Sequence, residues 1–311
     1  MRMRKSLLAS VVVASLVLAA CGDDDDEDGA AAPAATDAAT TPPALDTTAA
    51  PSTTGGGAAG GGAADCAAGK TIEDGVLTIA TGEPAFPPYV LDNDPASGQG
   101  FEAAVGMAVA RELGFTGDAV KWIGTSFDAA VAPGPKDFDF NLQQFTITPE
   151  RAEAVSFSQG YYTAPQAIFG LADSPAASAT TLDDLKGLKI GVAASTTTID
   201  YVEQVIAPDS DPYIFNDNAA AKTALESNQI DAIVSDLPTA LYITAVEIEG
   251  TTVYGQIEGS GTDEFGLLLA KDNPLVECVD LALDALKQSG ELDEITTEWM
   301  SDYTEAPMIA L

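Results

Sequence analysis

From Cys66 onward the chain alternates short runs of β-forming apolar residues with stretches of helical period, and it does so in two successive series. In the first, residues 76–80, 119–123, 138–142 and 166–171 read as strands. Residues 101–113 carry apolar side chains at Phe101, Val105, Ala108, Val109 and Leu113 and stop at Gly114, the pattern of an amphipathic helix. The second series places strands at 189–193, 213–215 and 231–234. Helices fall before, between and after them at 182–185, 199–206, 219–227 and 238–246. A strand at 265–269 and two helices within 275–299, broken at Ser289-Gly290, finish the chain. Strands alternating with helices predict parallel sheets with right-handed crossovers. Two such series predict two α/β lobes.

What precedes Cys66 cannot fold this way. Arg2, Arg4 and Lys5 form a basic start, residues 7–18 are apolar but too short to span a bilayer comfortably, and the stretch ends at Leu18-Ala19-Ala20-Cys21. Residues 1–20 resemble a bacterial lipoprotein signal, with Cys21 as the lipidated new N-terminus. Residues 21–65 open on an acidic run, Asp23 to Asp28, and continue in Ala, Thr, Pro and Gly. Such a segment buries too little to offset its ordering entropy, so it reads as a disordered tether from a lipid anchor on the outer face of the cytoplasmic membrane.

Several function classes fall away on composition. Loss of the three basic signal residues leaves 10 Lys and Arg against 48 Asp and Glu, a net charge of −38. That argues against nucleic acid, and against any membrane contact beyond the anchor. The chain has no histidine, which removes His-dependent triads and the commonest zinc ligand. No metal or cofactor is expected. The Gly98-x-Gly100-x-x-Ala103 pattern follows a loop instead of a strand and does not read as a dinucleotide site. Apart from Cys21 the cysteines are Cys66 and Cys278, which in an exported chain read as a disulfide.

Ligands in open α/β sheets bind beyond the carboxyl ends of strands. Those positions hold residues 83–86, 143–148 and 195–198 with Ser235 and Asp236, and Arg151 follows one turn after the second group. Thr148 is a good helix N-cap and Pro149 a good first helical residue. A cation at Arg151 is unfavourable at a helix start unless an anion sits beside it. Alternatively, Arg151 is a surface residue paired with Glu150 or Glu153. One cation among acids, hydroxyls, amides and an aromatic suits a small zwitterion better than a phosphate.

The sequence resembles the family 3 extracellular solute-binding proteins of ABC transporters. The resemblance rests on residues 77–89 (LTIATGEPAFPPY), 100–102 and 113–115, 146–151 (TITPER), Phe157-Ser158 and Tyr161-Tyr162. It continues through 182–192 (LDDLKGLKIGV), 231–236 (DAIVSD) and 286–299. It implies a two-lobed type II periplasmic-binding-protein-like fold. Lobe 1 would be 66–163 plus 263–311 and lobe 2 would be 164–262, with hinge strands near Gln166 and Phe265. It also implies a monomeric, non-catalytic receptor that takes a small amino-acid-like ligand to an ABC permease.

By the same resemblance, Arg151 takes the ligand α-carboxylate and Thr146 helps hold the head group. Thr196 and Thr197 stand at a helix start that also meets the carboxylate, and Asp236 accepts from the α-ammonium group. Phe86 and Phe127 flank the ligand side chain, and Glu83 lies at the pocket mouth. Asp236 and Thr196 also read as helix caps, and Phe86 and Phe127 as core. Gln143 and Gln144 replace small family residues and predict a bulkier floor rich in amide donors. Glu102 stands where Asp is common, and Pro133-Gly134-Pro135 cuts the helix after Phe127 short. A dehydratase of prephenate- or arogenate-like acids on the same scaffold is the alternative.

Overall fold

The computed structural model describes residues 61–258, 263–303 and 306–310. The signal, Cys21 and most of the tether therefore lie outside the described residues. Helix α1 (Gly61–Ala67) is followed by β1 (Leu77–Gly82), α2 (Phe101–Glu112), β2 (Val120–Thr125), α3 (Phe127–Val131) and β3 (Phe140–Asn141). Next come α4 (Arg151–Ala154), β4 (Val155–Ala164), β5 (Gln166–Leu171), β6 (Ile190–Ala193), α5 (Thr197–Tyr201), β7 (Tyr213–Phe215), α6 (Asn218–Glu226) and β8 (Ala232–Asp236). The chain continues with α7 (Leu237–Tyr242), β9 (Thr251–Ile257), β10 (Asp263–Ala270), α8 (Val276–Ser289), α9 (Glu291–Met300) and β11 (Met308–Ile309).

The strands form two sheets, in the orders β2-β1-β3-β10-β4 and β11-β9-β5-β8-β6-β7. Neither is wholly parallel, which corrects the expectation drawn from strand–helix alternation. β1 runs parallel to β2 and β3, but β10 is antiparallel to both β3 and β4. In the second sheet β6 is parallel to β7 and β8, while β5 is antiparallel to β8 and β9. The antiparallel members are those by which the chain passes from one sheet to the other: β4 leads through Pro165 into β5, and β9 leads back to β10.

Period-2 burial builds both sheets. In β10, Phe265, Leu267 and Leu269 pack with α2, α8 and α9, whereas Leu268 turns to the opposite face with Phe138 and Phe145. In β5, Ile168 joins one face with Val192 and Val234, and Ala167 and Phe169 join the other with Ile233 and Leu237. Sheets buried on both faces read as continuous apolar runs, which is why 166–171 was legible as a strand. Gly290, with a φ of 83°, ends α8 in the left-handed region and separates it from α9, as the break at Ser289-Gly290 predicts.

Three elements depart from the sequence reading. β4 extends over ten residues that alternation did not mark, because half-buried positions and Gly160 interrupt its apolar pattern. The strand expected at 138–142 shrinks to β3, since buried Asp139 turns its carboxylate onto the N–H groups of Ile72 (2.8 Å) and Thr78 (2.7 Å). The C-terminal end, expected in lobe 1, returns to the second sheet. Met308 and Ile309 pair with Gln256 and Ile257, and Ile309 is fully buried. A side chain at Gly255 would meet Ile309 at 2.7 Å, so glycine there admits the returning strand.

The Cys66–Cys278 disulfide is present, with the two Cα atoms 5.4 Å apart, and fastens α1 to α8. Helix α1 begins at Gly61, inside the stretch expected to be linker. It buries Ala63 and Ala67 in the first-sheet core beside that cross-link. No helix of the described residues is long and apolar enough to cross a membrane.

Candidate functional site

A cavity of about 340 Å³ opens where the carboxyl ends of strands from the two sheets converge. Arg151, Asp236, Thr146, Thr197, Thr196, Phe86, Phe127, Gln144, Gln143 and Glu83 all line it. All but Phe127, which was expected from the family resemblance alone, lie at or one turn past the strand ends singled out in the sequence.

Arg151 sits at the first turn of α4, where Thr148 Oγ1 accepts its backbone N–H at 3.1 Å. Its guanidinium donates from Nη1 to the Thr146 carbonyl on one side and from Nη2 to the Ser195 carbonyl on the other, both at 2.9 Å. Its carbon lies 5.2 Å from the centre of the Phe127 ring. Among the described residues it forms no ion pair, so Glu150 and Glu153 do not neutralise it as a surface reading would require. Burial lowers its pKa, with Asp263 and Glu150 opposing the shift. A desolvated guanidinium with donors still uncommitted and no carboxylate in contact is fit to take an anion.

Asp236 ends β8 and caps α7. Its Oδ1 accepts from the Thr239 N–H (2.9 Å) and from the Tyr89 hydroxyl (2.7 Å). Its Oδ2 accepts from the hydroxyls of Thr239 (2.9 Å) and Ser235 (3.3 Å). The capping and lining readings are thus both true of one carboxylate. Burial raises the Tyr89 phenol pKa first, and the Asp236 charge adds to it. Tyr89 precedes α2, so this bond joins one sheet's elements to the other's. The Thr146 and Thr197 hydroxyl oxygens make a second such approach, at 3.5 Å. A third links Gln166 to Asp263 at 2.6 Å.

Thr196 occupies the capping position of α5 but makes no side-chain cap; its hydroxyl donates to the Ala193 carbonyl at 2.8 Å. Phe127 lines the cavity and also packs on Phe145, with ring centres 4.8 Å apart, so its core and site readings coexist. Glu83 lies over Gly124, where a Cβ would come within 2.4 Å of its Oε2.

Gln144 differs from expectation. Gln144 adopts a φ of 51°, uncommon for a side-chain-bearing residue. Glu102 holds it there: Oε1 accepts the Gln144 backbone N–H at 2.7 Å, and Oε2 accepts from its side-chain Nε2. Tyr161 donates its hydroxyl to the same Oε1. The amide nitrogen of Gln144 is thus already engaged, so the floor is less rich in free donors than the sequence implies. Burial pushes the Glu102 pKa up to about 7, against the lowering effect of these three donors.

Sequence reasoning missed the lining residues Ser126, Asp128, Asn216 and Asp217, took Gln166 only as a hinge position, and gave Glu102 no role at the site. Ser126 and Asp128 follow β2, and Asn216 and Asp217 follow β7, so the strand-end rule would have found them had it been applied to every strand. Among the described residues no cluster of acids or cysteines is arranged to hold a metal ion.

The model of the bacterial extracellular solute-binding proteins, family 3, matches residues 77–302. The L-cystine-binding protein TcyJ of Escherichia coli (strain K12) is 28% identical over 243 residues, covering 76% of this chain and 87% of the relative. The L-arginine-binding protein of Pseudomonas aeruginosa is 27% identical, covering 76% and 90%. An ancestral arginine-binding protein solved with glutamine is 30% identical and covers 73% of this chain and 98% of its own, with a TM-score of 0.63. A solved ancestral amino acid-binding protein described as a precursor of cyclohexadienyl dehydratase is 27% identical, covers 72% and 95%, and has a TM-score of 0.60. With two mixed sheets meeting at a cleft and a family match over most of its length, the chain belongs to the family 3 bacterial extracellular solute-binding proteins.

Proposed function

We propose that this protein captures a small α-amino acid, or a close derivative, between its two lobes. Acting as a monomer lipid-anchored at Cys21, it hands the ligand to the permease of an ABC importer. The observation that carries the reading is Arg151: a half-buried guanidinium with no ion pair among the described residues, tied to carbonyls on both sides of the cavity and seated on Phe127. The α-carboxylate supplies the missing counter-charge, and the ammonium group faces Asp236.

The cavity is also lined by Glu83, Asp128 and Asp217, so carboxylates outnumber the one guanidinium. That balance favours a basic or neutral ligand side chain over an acidic one. Relatives whose names specify arginine, cystine or histidine are in keeping with it.

We read the site as a binder and not an enzyme. The cleft acid Asp236 is already committed to four donors, leaving it poorly placed to carry protons in a dehydration. Turnover of prephenate by the purified protein would reverse this.

A thermal-shift panel of amino acids tests the binding claim, since a ligand at a thousand times its Kd stabilises by about 4 kcal/mol. Arg151→Ala is expected to abolish the shift while leaving the unliganded melting transition cooperative. Unchanged affinity by calorimetry would sink the assignment.

A further inference from the structure

Glu102 lies on the first turn of α2, is 1% exposed, and spends both carboxylate oxygens on Gln144 and Tyr161. Its two oxygens are not equivalent. Oε1 receives the Gln144 backbone N–H, which can only donate, and the Tyr161 hydroxyl, which has no other acceptor among its hydrogen bonds and so keeps its proton towards Glu102. Oε2 receives only the side-chain amide of Gln144, a group that can turn over and exchange its NH2 for its oxygen. While Glu102 is ionised it can only accept, so the amide nitrogen faces Glu102. The amide oxygen, which has no partner among the described residues, is then left for the cavity that Gln144 lines. A proton on Glu102 belongs on Oε2, the less occupied oxygen. There it becomes a donor, and the amide must reverse to meet it, turning its NH2 towards the cavity.

We propose that Glu102 is a positioning residue whose protonation sets, through the orientation of the Gln144 amide, whether the binding cavity offers its ligand an acceptor or a donor at that point. The titratable groups acting on Glu102 are the Tyr161 phenol on β4, the Tyr89 phenol before α2 and Asp236 at the end of β8; each is neutral or anionic. The Asp236 charge favours the protonated acid and the Tyr161 and Gln144 donors favour the ionised one; burial, the largest effect, pushes the Glu102 pKa up to about 7. The ligand groups facing the cavity on the amino-acid reading, on which this proposal rests, are rich in donors. The ionised state is then the tighter binder.

The test uses the purified protein with L-arginine, L-glutamine and L-cystine in turn, measuring affinity by calorimetry between pH 6 and pH 8. For L-arginine, wild type is expected to bind about tenfold or more weakly at pH 6 than at pH 8, the worth of one hydrogen bond to a charged group. Glu102→Gln, whose amide donates as the protonated acid does, should hold the weak affinity at every pH. Gln144→Ala should flatten the profile while leaving Glu102 ionisable, and it decides the matter even if Glu102→Gln fails to fold. A pH dependence that survives in Gln144→Ala overturns the proposal. So does a wild-type profile that is flat. Failure of wild type to bind any of the three at any pH overturns the amino-acid reading itself, and this proposal with it.

Discussion

Above its ionisation, Glu102 places a charge in a site where, among the described residues, no cation is in contact and the Gln144 and Tyr161 donors alone stabilise it. Its folded pKa, about 7, stands above the ordinary value of 4.5. Between those pH values the native state keeps a proton that the unfolded chain has released. Stability from this group is therefore greatest below pH 4.5 and falls as pH rises to 7, by about 3 kcal/mol at most. Urea denaturation at pH 5 and pH 7.5 should show wild type losing stability relative to Glu102→Gln by an amount of that order. A constant gap between the two would mean that Glu102 titrates normally. The sequence marked Glu102 only as a departure from the family's common Asp; its contact with Gln144 was not legible, because that partner is 42 residues away and nothing in a helix's first turn marks a buried acid. Arg151 was legible because its signal is local: a cation at a helix start with a hydroxyl and a proline before it. Asp236 was half legible, since capping and lining predict the same residue at the same place.

At the scale of elements, strands buried on both faces announced themselves and those with a broken apolar pattern did not. β5 was read to its end residues, whereas β4 was missed behind Ser156, Ser158 and Gln159. β11 is two residues long and carries no pattern at all; only its register on β9 and the space above Gly255 define it. Its worth lies in Ile309, buried with Ile168, Tyr254 and Ile257. Ile309→Ala is expected to cost about 2–4 kcal/mol in chemical denaturation if the strand stays docked in solution. A cost near zero would show that β11 peels away from the sheet without loss. The π-helical turns that end α5 and α7, at Val202–Ile206 and Ile243–Glu247, lie where the helical period simply ran on in sequence. Period alone does not distinguish 3.6 from a wider turn.

For the whole molecule, the two series of strands and helices were readable and their mixed topology was not. Direction depends on which connection crosses between sheets, and a strand entering from the other lobe looks locally like any other. The chain makes that crossing at Pro165, again between β9 and β10, and once more after α9 to place β11. This last passage has a practical consequence. Helix α1 is bound into the first sheet's core and β11 into the second, so the two ends of the described chain ride on different lobes. Asp65 and Met308 are both exposed there. Dyes on that pair should change their energy transfer when a ligand draws the lobes together. Dyes on Asp65 and Leu281, both carried by the first lobe, should not. An unchanged signal from the first pair at saturating ligand would mean the lobes bind without moving. A changed one would make the protein, by its connectivity alone, the frame of an optical sensor for its own ligand.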